Sequence, residues 1–583
     1  MTKQELEVFL EKYSIKVKNQ KEHPNFVLYN LDECPFCNGA HKDGAYVMCF
    51  HNGTVIAKCH HETCKEASWA KLYENLTGKK LASKKDNNKD KKGTSESVID
   101  AINQMVDEGL LELFLDNYQN LVARVISIDR TIMKTMPVKS YTFKIHFQQL
   151  IYEKINNVLD KRSLETVYDY LGVLAYKNEK RINVYKRIYY SNDKIIYELD
   201  KDKNLTVVIS KEGINVTDEE DVFFHHSKYY ANQVIPKLES IDNVEHKTLL
   251  KLIKKHFNLK GDDCLLFAIY LVSSFLGKGI CHPIMSISGQ KGSGKSSAIR
   301  KFCRLVDPKS IDLGNIPKNE DDLSLKISEN YVNSFDNLSY ISKSISDLFC
   351  KCVTGGTNVR RTLYENSDET TFDLKSIVVL NGIDVIISES DLLDRTVFFH
   401  LERLGSDELR TEAELDGEFE KDIPVILALC FSILQLAMTD DVPVDKSAMI
   451  RLADFYEWSI RIGRALGYKD ETIIKLLQKN QDLVNEQALA ENPLAQILLV
   501  YMEYVEERTH SVSELLKILK KLALEQQIDV KLLPKQPNVL SRKLNQIKSN
   551  LERVGLTYKI ESKEHNKEIT LINARPKRVP IKI

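Results

Sequence analysis

Residues 284–303 read IMSISGQKGSGKSSAIRKFC. IMSIS is an apolar run of strand length, and SSAIRKFCRL carries its apolar residues at helical spacing. Between them Gly289, Gln290, Lys291, Gly292, Ser293, Gly294, Lys295 and Ser296 fit G-x4-G-K-[ST] in full, with Ser297 following in the helix. The glycines let backbone N–H groups wrap phosphates at the positive end of that helix. Lys295 then reaches the β- and γ-phosphates of ATP, and Ser296 ligates Mg²⁺. This expectation sets the rest of the reading, because a phosphate loop requires further acids and amides on neighbouring strands.

Those residues follow in order. Asp336, 41 residues after Lys295 in SFDNLS, ends a short strand and is the expected second Mg²⁺ residue. Asn381, another 45 residues on, lies at the end of the apolar run in LKSIVVLNGID, where an amide orients attacking water. Arg395, in SDLLDRTVFFHL, is placed to reach a neighbouring subunit's ATP, or else to pair with Asp391 or Asp394. Asn337 follows Asp336 and cannot accept a proton. The base is then Glu329 or Glu369, or hydrolysis relies on positioning and charge stabilisation alone.

Working outward, 583 residues are too many for one core, and the alternation of strand and helix over 245–405 marks an α/β ATPase core. The expected architecture is multidomain α/β. A small metal module occupies 1–78, a Lys-rich linker 79–95, and an α+β accessory or collar domain 96–244. The core is followed by helices over 406–492 and a basic domain over 493–583. The composition is that of a globular protein and the net charge of −1 identifies no partner. No apolar run of about 18 residues predicts a membrane span, and the charged N-terminus has no secretory h-region. Eleven cysteines, five of them within residues 34–64, point to a reducing cytoplasm and a metal site rather than to disulfides.

In the N-terminal module Cys34 and Cys37 form one knuckle and Cys59 and Cys64 a second, spaced C-x2-C-x21-C-x4-C. A hairpin with its turn at His51-Asn52-Gly53 separates them. Two such knuckles bend four thiolates toward one structural Zn²⁺. His41, His60 and His61 are possible substitutes for the fourth ligand, and Cys49 falls inside the hairpin.

Residues 511–583 hold 16 Lys/Arg against 7 Asp/Glu. Pro537 opens a helix with an apolar stripe through Leu540, Leu544, Ile547, Leu551 and Val554, closed by Gly555. Arg542, Lys543, Asn545 and Gln546 fall off the stripe. SVSELLKILKKLALEQ supplies an earlier helix, and LTYKI and EITLI a two-stranded wing around His565-Asn566. This is a winged-helix plan, with the second helix and its four polar residues offered to DNA.

Three resemblances follow from these segments. CPF and KCHHETCKEASWAKL resemble the zinc ribbons at the front of phage and plasmid primase-helicases, which implies contact with single strands or template. CVTGGTNVRRTLYENSDETTFDLKSIVVLNGI with LLDRTVFFHL resembles superfamily III helicases. More closely, SFDNLSYISKSISDLFCKCVTGG, RRTLYENSDE, VVLNGID, DLLDRTV and RLADFYEW resemble AAA+-like replication proteins of phages and mobile pathogenicity islands, over about 282–465. In that family Asp-Asn is usual at the strand end, and the chain finishes in a winged helix with text like PNVLSRKLNQIKSNLERVGL. One departure is the pore hairpin. Superfamily III helicases place Lys or His at its tip, whereas Tyr364–Glu369 here is acidic, leaving Arg360, Arg361 and Lys375 as candidate strand contacts.

The resemblance implies an ATP-driven replicative DNA helicase and origin-binding initiator of a mobile element. It would act as a homo-oligomeric ring, a hexamer, on single-stranded DNA and origin duplex, with ATP, Mg²⁺ and Zn²⁺ as cofactors and host replication proteins as further partners. Two alternatives stand beside it. A primase-helicase would need paired carboxylates for two metals in 96–240, where Asp218–Asp221 is the only evident cluster. A DNA-bound regulatory ATPase or helicase loader would hydrolyse ATP without unwinding.

Overall fold

The computed structural model describes residues 2–577 apart from 24–25, 38–41, 43, 51–52, 62–63, 65–66, 80–86, 131–132, 220–221, 241–244, 339, 362–368, 383–386, 388, 406–409, 491 and 564–565. The chain divides into two compact units, Met1–Asp100 and Ala101–Ile583.

The first unit opens with α1 (Lys3–Lys12), whose start is fixed by a capping box between Thr2 and Glu5. Strands β1 (Val17–Glu22), β2 (Phe26–Leu31), β3 (Ala45–Phe50) and β4 (Val55–Cys59) form an antiparallel sheet in sequence order. β2 and β3 bury every second residue, so one face packs and the other meets water. Leu6, Leu10, Val27, Tyr29, Val47, Ala57 and Leu72 make the small core. Helix α2 (Trp69–Thr77) starts on a Ser68 cap and ends at left-handed Gly78. Helix α3 (Asn87–Asp107) corrects the expected linker, because the Lys-rich stretch is helical from Asn87. Lys is an adequate helix former, and the amphipathic segment beyond residue 96 extends the helix backward.

The second unit begins with β5 (Leu111–Asp116), β6 (Leu121–Ile126) and β7 (Met133–Pro137), then α4 (Tyr141–Ile155), α5 (Lys161–Asn178) and β8 (Arg181–Ile182). Their sheet has the order β7-β6-β5-β8. A short β9 (Val184–Tyr185) precedes a meander of β10 (Ile188–Tyr190), β11 (Lys194–Asp200), β12 (Leu205–Ser210) and β13 (Ile214–Thr217). β14 (Phe223–Phe224) pairs with β9.

After α6 (Thr248–His256) and α7 (Asp262–Ser273), a parallel sheet is assembled from β15 (Ile284–Gly289), β16 (Val332–Leu338), β19 (Ile377–Gly382) and β20 (Thr396–Leu401). Its order is β16-β19-β15-β20, so the strand before the glycine loop is central. The crossovers carry α8 (Lys295–Val306), α9 (Glu320–Glu329), α10 (Lys343–Thr354), the hairpin β17 (Thr357–Arg361) and β18 (Glu369–Asp373), and α11 (Ser390–Leu393). α12 (Glu412–Thr439), α13 (Ala453–Ala465) and α14 (Asp470–Ala490) close the body. α12 is long and apolar enough to cross a membrane by composition, but here its Ile423, Leu427, Phe431 and Leu434 are buried in the core.

Two expected boundaries dissolve in this core. Ile195, Tyr197, Leu199, Val207 and Ile209 of the meander share one apolar cluster with α6, α7, the parallel sheet and α12–α14. The core of the parallel sheet is thus continuous with part of 96–244 and of 406–492, across both expected boundaries. β11 buries five successive residues, so both its faces need cover, and single-strand patterning cannot say which element provides it.

The last segment has its own core, running from Leu489 to Leu571. It comprises α15 (Pro493–Met502), β21 (Glu507–Ser511), α16 (Val512–Glu525), α17 (Pro537–Gln546), α18 (Lys548–Arg553), β22 (Leu556–Lys563) and β23 (Asn566–Asn573), with sheet order β21-β23-β22. The helix expected to run from Pro537 to Gly555 is broken at Ile547 (φ −103°, ψ 9°). Both Leu551 and Asn550 are buried on α18, Leu551 in the module's own core and Asn550 against Asn485 of α14.

Candidate active site

The glycine loop lies at the carboxyl edge of the parallel sheet, between β15 and α8, where open α/β sheets bind ligands. Gly289 (φ +147°) passes so close to β20 that a Cβ would sit 2.2 Å from the Leu401 carbonyl oxygen. Gly292 (φ +80°) and Gly294 (φ +83°) adopt left-handed backbone that other residues resist. Lys295 Nζ donates to the carbonyl oxygens of Gly289 (2.6 Å) and Gln290 (3.0 Å), folded back over its own loop. Burial holds its pKa below the usual lysine range, with Asp336 opposing.

The three residues expected to act together do meet. Ser296 Oγ donates to Asp336 Oδ2 (3.3 Å), and Asn381 Nδ2 donates to Ser296 Oγ (3.3 Å) and to Asp336 Oδ1. They line a cleft of about 500 Å³ together with Lys291, Ser297 and Asn337. Two buried atoms on the cleft wall, Ser293 Oγ and Asn381 Oδ1, have no partner among the described residues. A donor set of hydroxyl, carboxylate and amide below a ring of loop N–H groups fits a hydrated divalent cation with a polyphosphate.

The structure also gives a reason for Asn337. The β16–β19 register slips between Phe335 and Leu338, and Asn337 there has φ +57° with its N–H on Asp336 Oδ1 (2.7 Å). Asn tolerates that left-handed backbone better than Glu, and the bulge directs Asp336 to the cleft. Glu329 is not brought to the site, because it precedes β16 at the opposite end of that strand. The Glu369 side chain, like those of Arg360, Arg361 and the hairpin tip, lies outside the described residues. Glu412 and Arg300 do line the cleft, with Arg300 Nη1 3.6 Å from Glu412 Oε1. The sequence reading missed both, since nothing in either local pattern marks them.

Arg395 stands at the other edge of the sheet, where its carbonyl accepts from Ile284 N at the start of β15 (2.8 Å). The length of β15 separates it from its own cleft. Within the chain Arg395 donates to the Asp391 carboxylate and to the Asp391 carbonyl (2.9 Å). Arg451 bridges Asp391 and Asp394, and Arg553 of α18 reaches Asp394 (3.3 Å).

In the first unit Cys34, Cys37 and Cys64 present sulfurs within 4.8 Å of one another. Cys59, the fourth expected ligand, is not in that group of three, and its Sγ lies 3.2 Å from His61 Nδ1. Burial pushes the Cys34 thiol well above its ordinary pKa, and the neighbouring thiols add to the shift, as in a cluster that lacks a countercharge. His41 lies outside the described residues. Cys49 is buried in β3, apart from the cluster.

Arg542, Lys543, Asn545 and Gln546 are exposed on the side of α17 opposite buried Leu540 and Leu544. Asn545 Oδ1 already accepts from Tyr558 OH (2.7 Å), which ties it to β22. The polar face is presented as expected, with Asn545 committed to holding the helix on the sheet.

Residues 247–476 match the family model described as the actinomycete integrative conjugative element replication protein. Residues 494–579 match the model of the C-terminal domain of that element's replication protein, RepA. No curated protein matches the chain. Among solved structures, the A form apo structure of the NrS-1 C-terminal region is similar over 81% of this chain and 98% of that one, at 11% identity and a TM-score of 0.34. Another apo structure of the same region is similar over 80% and 97%, at 13% identity and a TM-score of 0.33. Likeness at that level carries no argument about function. The two family models take up consecutive stretches, one holding the parallel sheet and its cleft and the other the C-terminal module, and over these stretches the chain is similar to the replication proteins of actinomycete integrative conjugative elements.

Proposed function

We propose that the protein is an ATP-driven DNA helicase and replication initiator that works as a ring. The observation that carries this reading is the hydrogen-bonded set Ser296–Asp336–Asn381 under the glycine loop. Ser296 and Asp336 would hold Mg²⁺, and Lys295 would swing from the Gly289 and Gln290 carbonyls onto phosphate. Bound Mg²⁺ would supply charge neutralisation at the transferring phosphoryl group. Asn381 orients water at the edge of the sheet. Among the described residues Asp336 and Glu412 are the carboxylates offered to the cleft, so positioning and charge are given most of the catalytic work.

The placement of Arg395 supports a ring, because its distance from its own cleft leaves a neighbour's nucleotide as the one it can reach. The C-terminal order helix, strand, three helices, two strands, with exposed Arg542 and Lys543 on the third helix of the module, supports a winged-helix grip on origin duplex. The cysteine cluster supports a structural Zn²⁺ held by Cys34, Cys37, Cys64 and either Cys59 or His61. The test measures ATP hydrolysis with and without single-stranded DNA, alongside unwinding of a forked duplex. Stimulation with unwinding, both lost in Lys295→Ala, is expected. Stimulation without unwinding would make the protein a loader or regulatory ATPase.

A further inference from the structure

A cavity of about 600 Å³, larger than the nucleotide cleft, lies at the edge of β16 in the second unit, and nothing above uses it. Its cations are Lys228, Lys309 and Lys326. Lys326 Nζ has a carbonyl contact at 3.4 Å and otherwise lies over the Phe335 ring, 4.8 Å from its centroid. Burial and the neighbouring Lys309 hold its pKa below the usual range. The Lys309 side chain is buried, bonded to the Val332 carbonyl and 3.7 Å from Asp307, so an anion would chiefly relieve Lys326.

The same cavity holds two polar atoms that await donors. Asn333, 1% exposed, gives both amide hydrogens to the Ile327 and Asn330 carbonyls, and its Oδ1 has no partner. His226, 8% exposed, pairs through Nε2 with Glu198 (2.8 Å) and leaves Nδ1 unpaired. Buried orphans of this kind cost about 1–3 kcal/mol each unless something fills them. Around the mouth stand exposed Tyr141, Ile311 and Leu325, an apolar shelf. Carboxylates are present too: Asp312, Asp322 and Glu329, the last pushed up toward its neutral form by burial.

We propose that this cavity binds a nucleoside phosphate, either free or as the end of a DNA strand. The phosphate sits between Lys309 and Lys326, sugar or base N–H and O–H groups donate to Asn333 and His226, and the base lies on the Tyr141 shelf. The volume is in the range of small-ligand sites. The floor of the cavity is the segment carrying Gly314, whose carbonyl accepts from Asp336 N (2.9 Å) and whose N–H donates to Ser334 (3.3 Å). An occupant therefore touches the backbone that holds Asp336 from behind, without entering the ATP cleft.

The experiment uses full-length Lys295→Ala protein, which silences the ATP cleft and so separates this proposal from the function proposed above. Binding of AMP and of a 5′-phosphorylated ten-residue oligo-dT is measured by calorimetry, with inorganic phosphate as a third probe. Lys326→Glu and, independently, the exposed Tyr141→Ala are added, each checked for an unchanged melting profile. AMP affinity falling about tenfold or more in both added variants supports a free nucleotide. The same loss seen with the oligonucleotide alone supports a strand end. Equal binding with and without Lys326, no binding of either nucleotide probe, or capture of inorganic phosphate with no dependence on Tyr141 would overturn the proposal.

Discussion

The two edges of the parallel sheet are built on opposite principles. At the carboxyl edge, Lys295, Ser296, Asp336 and Asn381 line an open cleft, and two buried polar atoms there are left unpaired. At the amino edge, three arginines share two aspartates, an excess of one positive charge: Arg395 pairs with Asp391, Arg451 with both aspartates, Arg553 with Asp394. The first edge is arranged for a ligand that it does not itself supply. The second is largely paired within the chain, with Arg395 Nε the buried polar atom left without a partner there among the described residues, and it can act on a neighbour only by giving up pairs that it already has.

The largest expected effect breaks this comparison directly. Arg395→Ala should lower DNA-stimulated ATP turnover by about 10³-fold, the scale of an arginine finger. Mixing it with Lys295→Ala protein should restore part of the rate, because some mixed interfaces then carry both residues. Absence of rescue in steady-state assays would remove the neighbour from the mechanism. Asn381→Ala is expected to cost about 10²-fold in turnover, with nucleotide binding retained in a direct titration.

A pH titration probes the buried body between the edges. Burial depresses the pKa of His282 to about 4, with its hydrogen bond to Gly277 opposing and Lys375 adding to the drop. The neutral form is thus the folded form, and the unfolded chain takes up the extra proton. Stability from this group is complete above about pH 6.5 and is lost as pH falls toward 4, about 3 kcal/mol over about 2.5 pH units. His282→Gln should flatten the acid limb of the denaturation profile in that window.

Smaller effects belong to the contact between the C-terminal module and the body. Asn485 and Asn550 are buried and exchange hydrogen bonds at 2.7 and 3.0 Å. Asn485→Ala should destabilise by about 1–2 kcal/mol in chemical denaturation, because it orphans Asn550. Arg553→Ala, which removes a partly exposed pair, should cost under about 1 kcal/mol. If it nevertheless raises basal ATPase, the C-terminal module restrains the arginine edge.

The glycine loop, its strand and its helix were legible because G-x4-G-K-S imposes one backbone path on eight consecutive residues. Asp336 and Asn381 were legible because each ends an apolar strand, and strands of a parallel sheet must finish at the same edge. The cysteine knuckles and the amphipathic α17 were likewise local patterns. The role of Asn337 was not legible: its left-handed φ is a property of a register slip against β19, which no window of sequence contains.

The sequence by itself marked the short segments whose residue types and spacings suit phosphate, metal and DNA chemistry, since those chemistries need fixed residue types at fixed near spacings. Only the tertiary structure decided that the meander Ile188–Thr217 lies inside the body of the parallel sheet rather than beside it. It alone decided that Glu329 belongs to a second cavity and that Arg395 is already paired. The physical reason is the same in each case. Burial and ion pairing act between residues tens to hundreds of positions apart, and an apolar strand or a lone charge is equally well satisfied by many partners until packing selects one.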